Sequence, residues 1–217
     1  MSARGLFITV EGGEGVGKST NIAFLEQQLK EQGVDLLLTR EPGGSGLGEK
    51  IRELLLAVDD EVVDPMAELL LIFAARAQHI RTRIEPALAA GRWVLSDRFT
   101  DATYAYQCGG RGIPRDAVSA LEQLVQGSLR PDCTLLLDAP VETGMARARG
   151  RGELDRFERE ELAFFERVRR TYLERAEMSS GRYRIIDASE PLESVQKELK
   201  KVCRELTGCW GVRHPQP

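Results

Sequence analysis

Gly12-Gly13-Glu14-Gly15-Val16-Gly17-Lys18-Ser19 follows an apolar run at 6–11 and opens a helical pattern. The octet satisfies G-x-x-x-x-G-K-[ST] at every fixed position, in the strand, loop and helix context that the motif requires. Its glycines let backbone N–H groups turn inward around phosphate oxygens. A helix beginning at Lys18 adds its positive dipole end. Lys18 can reach β- and γ-phosphates, and the Ser19 hydroxyl can ligate Mg²⁺. The loop selects nucleotide binding without selecting a reaction, since switch GTPases, motor ATPases and small kinases share it. A guanine-selective N-K-x-D motif does not occur in the chain.

Outward from the loop, short Val/Ile/Leu-rich runs at 6–11, 34–39, 93–96, 133–138 and 184–187 read as strands. They are continuously apolar rather than alternating, as strands buried on both faces are. Helical patterns fill the gaps at 18–32, 46–57, 65–90, 115–126, 141–149, 157–176 and 192–206. This alternation predicts an α/β fold, a parallel sheet with helices on both faces. The 217 residues fit one domain at about 150 residues per domain, with 1–206 as the folded unit and 207–217 as a fraying tail.

Composition narrows the function. Apolar residues make up 42% and charged residues 29%, which excludes wholesale disorder. A net charge of −4 argues against a nucleic-acid surface, and no apolar run is long enough for a membrane helix. Cys108, Cys133, Cys203 and Cys209 lack C-x-x-C spacing, so neither a zinc site nor a disulfide framework is expected. The N-terminus lacks a signal-peptide layout. The chain reads as cytoplasmic.

Three further features suit phosphoryl transfer. The run at 93–96 ends in Asp97-Arg98, where ligands of such sheets sit. Asp97 could hold Mg²⁺ through water or position an acceptor, and the planar fork of Arg98 suits a phosphate. Leu69, Ile72, Phe73, Arg76 and Ile80 share one helical stripe, so Arg76 falls on a face that should be buried. A buried guanidinium needs either a structural carboxylate or a polar ligand edge. Arg147, Arg149, Arg151, Arg156 and Arg159 cluster around Gly150 and Gly152. They read as a solvated helix face or as a lid, at about 148–157, that closes over a transferring phosphoryl group.

The combination resembles the bacterial thymidylate kinase family across about residues 5 to 205. The resemblance rests on Glu11 to Thr20, Thr39-Arg40-Glu41-Pro42-Gly43-Gly44, Phe73-Ala74-Ala75-Arg76, Asp97-Arg98-Phe99, Ala105-Tyr106-Gln107 and Gly152-Glu153-Leu154-Asp155-Arg156. It implies a P-loop kinase fold with a five-stranded parallel sheet and an arginine-bearing lid. It also implies transfer of the γ-phosphoryl of ATP to dTMP with Mg²⁺, by a homodimer. By position, Gly12 through Thr20 and Arg147 should bind ATP, with Arg147 beside adenine. Glu11 should approach the deoxyribose 3′-OH, and Arg98 should hold the acceptor phosphate with Arg40 and Arg52 nearby. Phe73, or Ile72 beside it, should pack on thymine, Arg76 should bond its O4, and Thr103 and Gln107 should line the base site. Tyr106 should crowd the place of a ribose 2′-OH. Lys18, Asp97, Arg98 and the lid arginines Arg149, Arg151 and Arg156 should carry the chemistry, with Ser19 and Asp97 toward the metal. The phosphate loop has no arginine of its own, so the lid should supply one. Ala102 and Cys108 depart from the family pattern of Ser and Gly.

The rivals are a related kinase with another acceptor and a nucleotide-binding module without transfer. A nucleoside kinase has no need of Arg98, and a regulatory module has no need of lid arginines.

Overall fold

The apolar runs pair as a five-stranded parallel sheet, in the computed structural model that describes residues 4–58, 62–150, 155–179 and 181–213. The strands are β1 (Phe7–Glu11), β2 (Leu36–Arg40), β3 (Trp93–Asp97), β4 (Cys133–Asp138) and β5 (Tyr183–Asp187), in the order β2-β3-β1-β4-β5. The central strands are buried on both faces, as expected. The edge strands are not: Leu38 on β2 and Ile185 on β5 are exposed, because an edge strand lacks the full helical cover of the centre.

Helices α1 (Lys18–Glu31) and α9 (Leu192–Arg213) cover one face. There Ile22, Leu25 and Leu29 meet Val195, Leu199 and Val202 over Val10, Leu95 and Leu135. On the other face lie α2 (Gly46–Leu56), α3 (Pro65–His79), α4 (Glu85–Ala89), α6 (Arg115–Gln126), α7 (Val141–Arg149) and α8 (Leu162–Met178). Asp64 caps α3 by accepting from the N–H groups of Met66 and Ala67, with Pro65 in the first turn. The helical pattern at 65–90 is observed as α3, a π-helical turn at Ile80–Ile84, and α4.

Local structure adds detail that the sequence pattern lacked. Residues after Asp97-Arg98 form α5 (Thr100–Thr103) and a π-helical stretch, Tyr104–Gly110. Two glycines close that stretch and hid it from propensity. They are needed for packing, since a Cβ on Gly110 would lie 2.4 Å from the Phe164 ring of α8. Helix α8 starts at Leu162 rather than 157, because the Asp155 carboxylate accepts from the N–H groups of Phe157 and Glu158 and turns the chain. Helix α9 runs past Thr207 to Arg213. The Thr207 hydroxyl donates to Gln32 at 2.7 Å, and Leu206 packs on the core.

Candidate active site

The phosphate loop lies at the carboxyl end of β1 and leads into α1. Gly15 and Gly17 take φ of 68° and 86°, values that favour glycine. A Cβ on Gly15 would sit 1.7 Å from the Gly144 carbonyl oxygen, so α7 rests directly on the loop. The reciprocal contact is equally tight, with a Gly144 Cβ placed 2.3 Å from the Glu14 carbonyl oxygen. Gly144→Ala should therefore displace the loop, at about 1–3 kcal/mol of overpacking. Its melting temperature should fall and its ATP affinity should weaken. Calorimetric ATP binding and a melting curve check this, and wild-type values in both would show that the contact is slack.

Lys18 Nζ donates to the carbonyl oxygens of Gly12 (3.2 Å) and Gly13 (2.6 Å), across the mouth of the loop. Burial pushes its pKa down, and the nearby Arg98 charge adds to that. Asp97 ends β3 beside β1, in register with Val10. Its Oδ1 is buried with no hydrogen-bond partner. Ser19, Lys18 and Asp97 line the same cavity.

Arg98 is the one non-glycine residue with positive φ (66°) among the described residues. Its guanidinium spans the loop. Nη1 donates to the Gly12 carbonyl at 2.9 Å and to the Tyr172 hydroxyl at 3.1 Å. Nη2 donates to Glu14 Oε1 at 2.5 Å and to the Tyr106 hydroxyl at 3.0 Å. Its plane lies 4.7 Å from the Tyr106 ring centroid. Glu11 sits beneath, fully buried, accepting from the Phe99 N–H at 2.8 Å and the Tyr172 hydroxyl at 2.9 Å. Burial, with the Asp101 charge behind it, pushes the Glu11 carboxyl up to about 8. Glu11 thus braces the backbone just after Arg98 and does not line the cavity, in contrast to its expected place at the sugar.

The cavity, of about 250 Å³, runs from Glu14, Lys18 and Ser19 past Asp97 and Arg98 to Arg52, Ile72, Arg76, Thr103, Tyr106 and Gln107. Asp155, Phe157 and Glu158 close its side. Arg76 is almost wholly buried. Its Nε donates to Glu41 at 2.7 Å and its Nη2 to the Thr103 hydroxyl at 2.9 Å, while Nη1 is buried with no partner. A structural carboxylate therefore takes one side of the fork, and one donor remains open. Phe73 does not line the cavity. It packs under Arg76, 4.8 Å from guanidinium carbon to ring centroid, and Ile72 takes the lining position. The helix period explains this, since Ile72 and Arg76 are one turn apart and Phe73 points a quarter-turn inward.

The arginines divide. Arg52 lines the cavity and donates to the Pro42 carbonyl at 3.0 Å. Burial and then the Arg40 charge push its pKa down. Arg40 turns away to Glu49 at 2.7 Å and lines a neighbouring open groove instead. Arg147 donates to the Ala188 carbonyl at 2.8 Å, and Arg149 is exposed at the end of α7. Thr20 is exposed on the first turn of α1. Arg151 lies outside the described residues. Arg156 is held at the acceptor end, with Nε on the Leu55 carbonyl at 2.8 Å and Nη2 on buried Glu68 at 2.6 Å. It does not face the phosphate loop here, because Glu68 offers a fully buried carboxylate that needs a cation.

One cavity thus joins the phosphate loop and the strand-end carboxylate of Asp97 to the open donor of Arg76. The family profile of thymidylate kinase matches residues 10–199. The chain belongs to the thymidylate kinase family. A thymidylate kinase of Pseudomonas syringae pv. tomato is 61% identical over 202 residues, covering 93% of this chain and 96% of that protein. One of Pseudomonas putida (strain W619) is 61% identical over 194 residues, covering 89% and 94%. The crystal structure of thymidylate kinase from Ehrlichia chaffeensis superposes with a TM-score of 0.74 at 33% identity, covering 92% of this chain and 98% of that one. The enzyme transfers a phosphoryl group from ATP to dTMP, giving dTDP and ADP, a step of nucleotide biosynthesis.

Glu41, Glu68 and Tyr172 hold residues of the site and were given no role by motif reading. The signal for Glu68 was present: it lies on the Ile72–Arg76 stripe at i−4 and i−8, an acidic residue on a face that should be buried. Tyr172 comes from α8, far along the chain, and had no local signal.

Proposed function

We propose that the cavity binds dTMP with its 5′-phosphate at Arg98 and its base at Arg76, while Gly12–Ser19 holds the ATP phosphates. The unpartnered, buried Nη1 of Arg76 carries this reading. A buried donor left open costs about 1–3 kcal/mol, and a base carbonyl such as thymine O4 would satisfy it. Ile72 then supplies the apolar surface under the ring, Thr103 and Gln107 line its edge, and Tyr106 flanks the sugar. Arg52 adds positive charge near the acceptor phosphate.

The donor set also fits Mg²⁺. Asp97 offers a buried, unpartnered carboxylate oxygen, and Ser19 offers a hydroxyl in the same cavity. Few protein ligands are expected, since Mg²⁺ is usually shared between one or two carboxylates, waters and substrate phosphates. An ion held by Asp97 and Ser19 would supply positive charge beside the ATP phosphates.

The acceptor oxygen of dTMP is already anionic, so no strong base is required. Arg98 aims it, held by Tyr172 and by the left-handed backbone that Glu11 braces. Lys18 exchanges its two loop carbonyls for phosphate oxygens. The lid arginines Arg149, Arg151 and Arg156 stabilise the charge on the transferring oxygens, Arg156 only after leaving Glu68. Arg147 flanks adenine beside Ala188. Catalysis is positioning plus fixed positive charge.

The exposed faces of α2 and α3 carry Leu47, Leu54, Met66 and Leu70, an apolar surface that a second copy would cover and that supports a homodimer. Among the described residues no helix is long and apolar enough to cross a membrane, and the four cysteines are unpaired. Both support a cytoplasmic enzyme.

Substrate choice tests the base reading. Cytosine presents an amino donor where thymine presents O4, so it would meet Arg76 donor to donor. kcat/KM for dTMP should exceed that for dCMP by orders of magnitude, the scale at which a buried hydrogen-bonding site rejects a mismatched edge. Comparable values for the two nucleotides would make Arg76 purely structural, satisfied by Glu41.

A further inference from the structure

We infer that Glu68 is a specificity-positioning residue: it fixes the side-chain amide of Gln107 so that its carbonyl oxygen, not its NH₂, is offered to the base. The inference rests on the base-edge reading above and adds a residue that does not line the cavity.

Helix α3 and the stretch after α5 face each other across the base end of the cavity. Glu68, Ile72 and Arg76 lie on one stripe of α3, spaced i, i+4, i+8. Opposite them are Thr103 and Gln107, themselves four apart. Two polar rungs join the elements. Arg76 Nη2 donates to Thr103 at 2.9 Å, and Gln107 Nε2 donates to Glu68 Oε1 at 2.9 Å. Ile72 lies between the rungs and lines the cavity with Arg76, Thr103 and Gln107.

An amide can be turned either way, and its NH₂ and oxygen are interchangeable until a neighbour fixes them. Glu68 does so. It is fully buried, and its carboxylate also accepts from Arg156 at 2.6 Å and from Arg111 at 3.4 Å. A carboxylate between two guanidiniums is an acceptor only, so the amide must give it the NH₂. The Gln107 oxygen is then the end left for a ligand. With the open Arg76 Nη1, the protein presents a donor and an acceptor. That pair complements the O4 and N3–H of a thymine or uracil ring. Cytosine, with an N4 amino group and an unprotonated N3, mismatches both. Arg76 alone would test one atom of the edge, and Glu68 makes Gln107 test the next.

The experiment compares dTMP with 5-methyl-dCMP, which keeps the methyl group and changes only the hydrogen-bonding edge. In Glu68→Gln the residue at 68 can accept or donate, so the Gln107 amide is free to turn. The ratio of kcat/KM for dTMP over 5-methyl-dCMP should fall tenfold or more. Arg111→Gln removes a guanidinium from Glu68 without changing what Gln107 must donate, and should hold the ratio within about threefold. The exchanged double variant Glu68→Gln/Gln107→Glu puts an acceptor-only group back at 107 with the total charge unchanged, and should restore the preference. It also gives a readout should Glu68→Gln alone fold poorly. A wild-type ratio in Glu68→Gln, or a double variant no better than it, would overturn the inference while leaving the Arg76 reading intact. Equal use of the two nucleotides by the wild-type enzyme would overturn the base-edge reading itself, and this inference with it.

Discussion

Lys18→Ala should leave the protein folded and lower kcat by about 10²–10³-fold or more, the scale of removing one preorganised electrostatic group. Lys18 contacts only loop carbonyls and contributes nothing to the apolar core under α1. The melting temperature should therefore stay near the wild-type value. Burial and the Arg98 charge disfavour its ammonium where it stands, and phosphate oxygens are better partners than two neutral carbonyls. The loss should exceed any change in dTMP affinity, because the proposed pose holds the acceptor from the far side, at Arg98 and Arg76. Turnover measured by a coupled assay, with a melting curve as the folding control, checks this. A variant within a few-fold of wild-type kcat would remove the phosphate loop from the mechanism.

The second large effect belongs to the lid. Among individual Ala substitutions at Arg149, Arg151 and Arg156, at least one should lose about 10²-fold or more in kcat while its dTMP dissociation constant barely moves. That pattern marks a contact made mainly in the transition state. Arg149 stands exposed at the end of α7, which rests at Gly144 against the phosphate loop. Arg156 has a different starting point, on Glu68 and the Leu55 carbonyl, and must exchange that buried carboxylate for phosphate oxygens if it acts. Coupled assays and dTMP calorimetry on each variant decide. Retention of kcat within a few-fold in all three would place the catalytic arginine elsewhere, at Arg147 or Arg159.

Much of the fold was legible because central strands of a parallel sheet must be continuously apolar. Ile8, Val94 and Leu135 announced β1, β3 and β4 through that requirement, and Gly12–Ser19 announced what stands at their carboxyl ends. The edge strands were legible as strands but not as edges, since Leu38 and Ile185 are as apolar as core residues while half of each lies in water. The stretch 100–110 was not legible as a helix. Its glycines are chosen by the approach of α8, a tertiary contact that local propensity does not encode. At the site, Arg76 was legible as an anomaly, a charge on an apolar stripe, but its partner Glu41 comes from the loop after β2. Glu11 went the other way. The family resemblance implied contact with the sugar, whereas the Phe99 N–H and the Tyr172 hydroxyl occupy its two oxygens. Spacing along one helix could reveal Glu68, but only the folded pairing of α3 with the stretch after α5 shows that it holds Gln107.

In the proposed mechanism one cavity brings the γ-phosphoryl of ATP to the 5′-phosphate of dTMP. The most direct test of that mechanism is ADP release by the purified enzyme with ATP and Mg²⁺, in the presence and absence of dTMP, with the nucleotide products separated and counted. ADP release should depend on dTMP and yield one dTDP for each ADP. ATP consumption at the same rate without dTMP, or ADP formed with no dTDP, would contradict it.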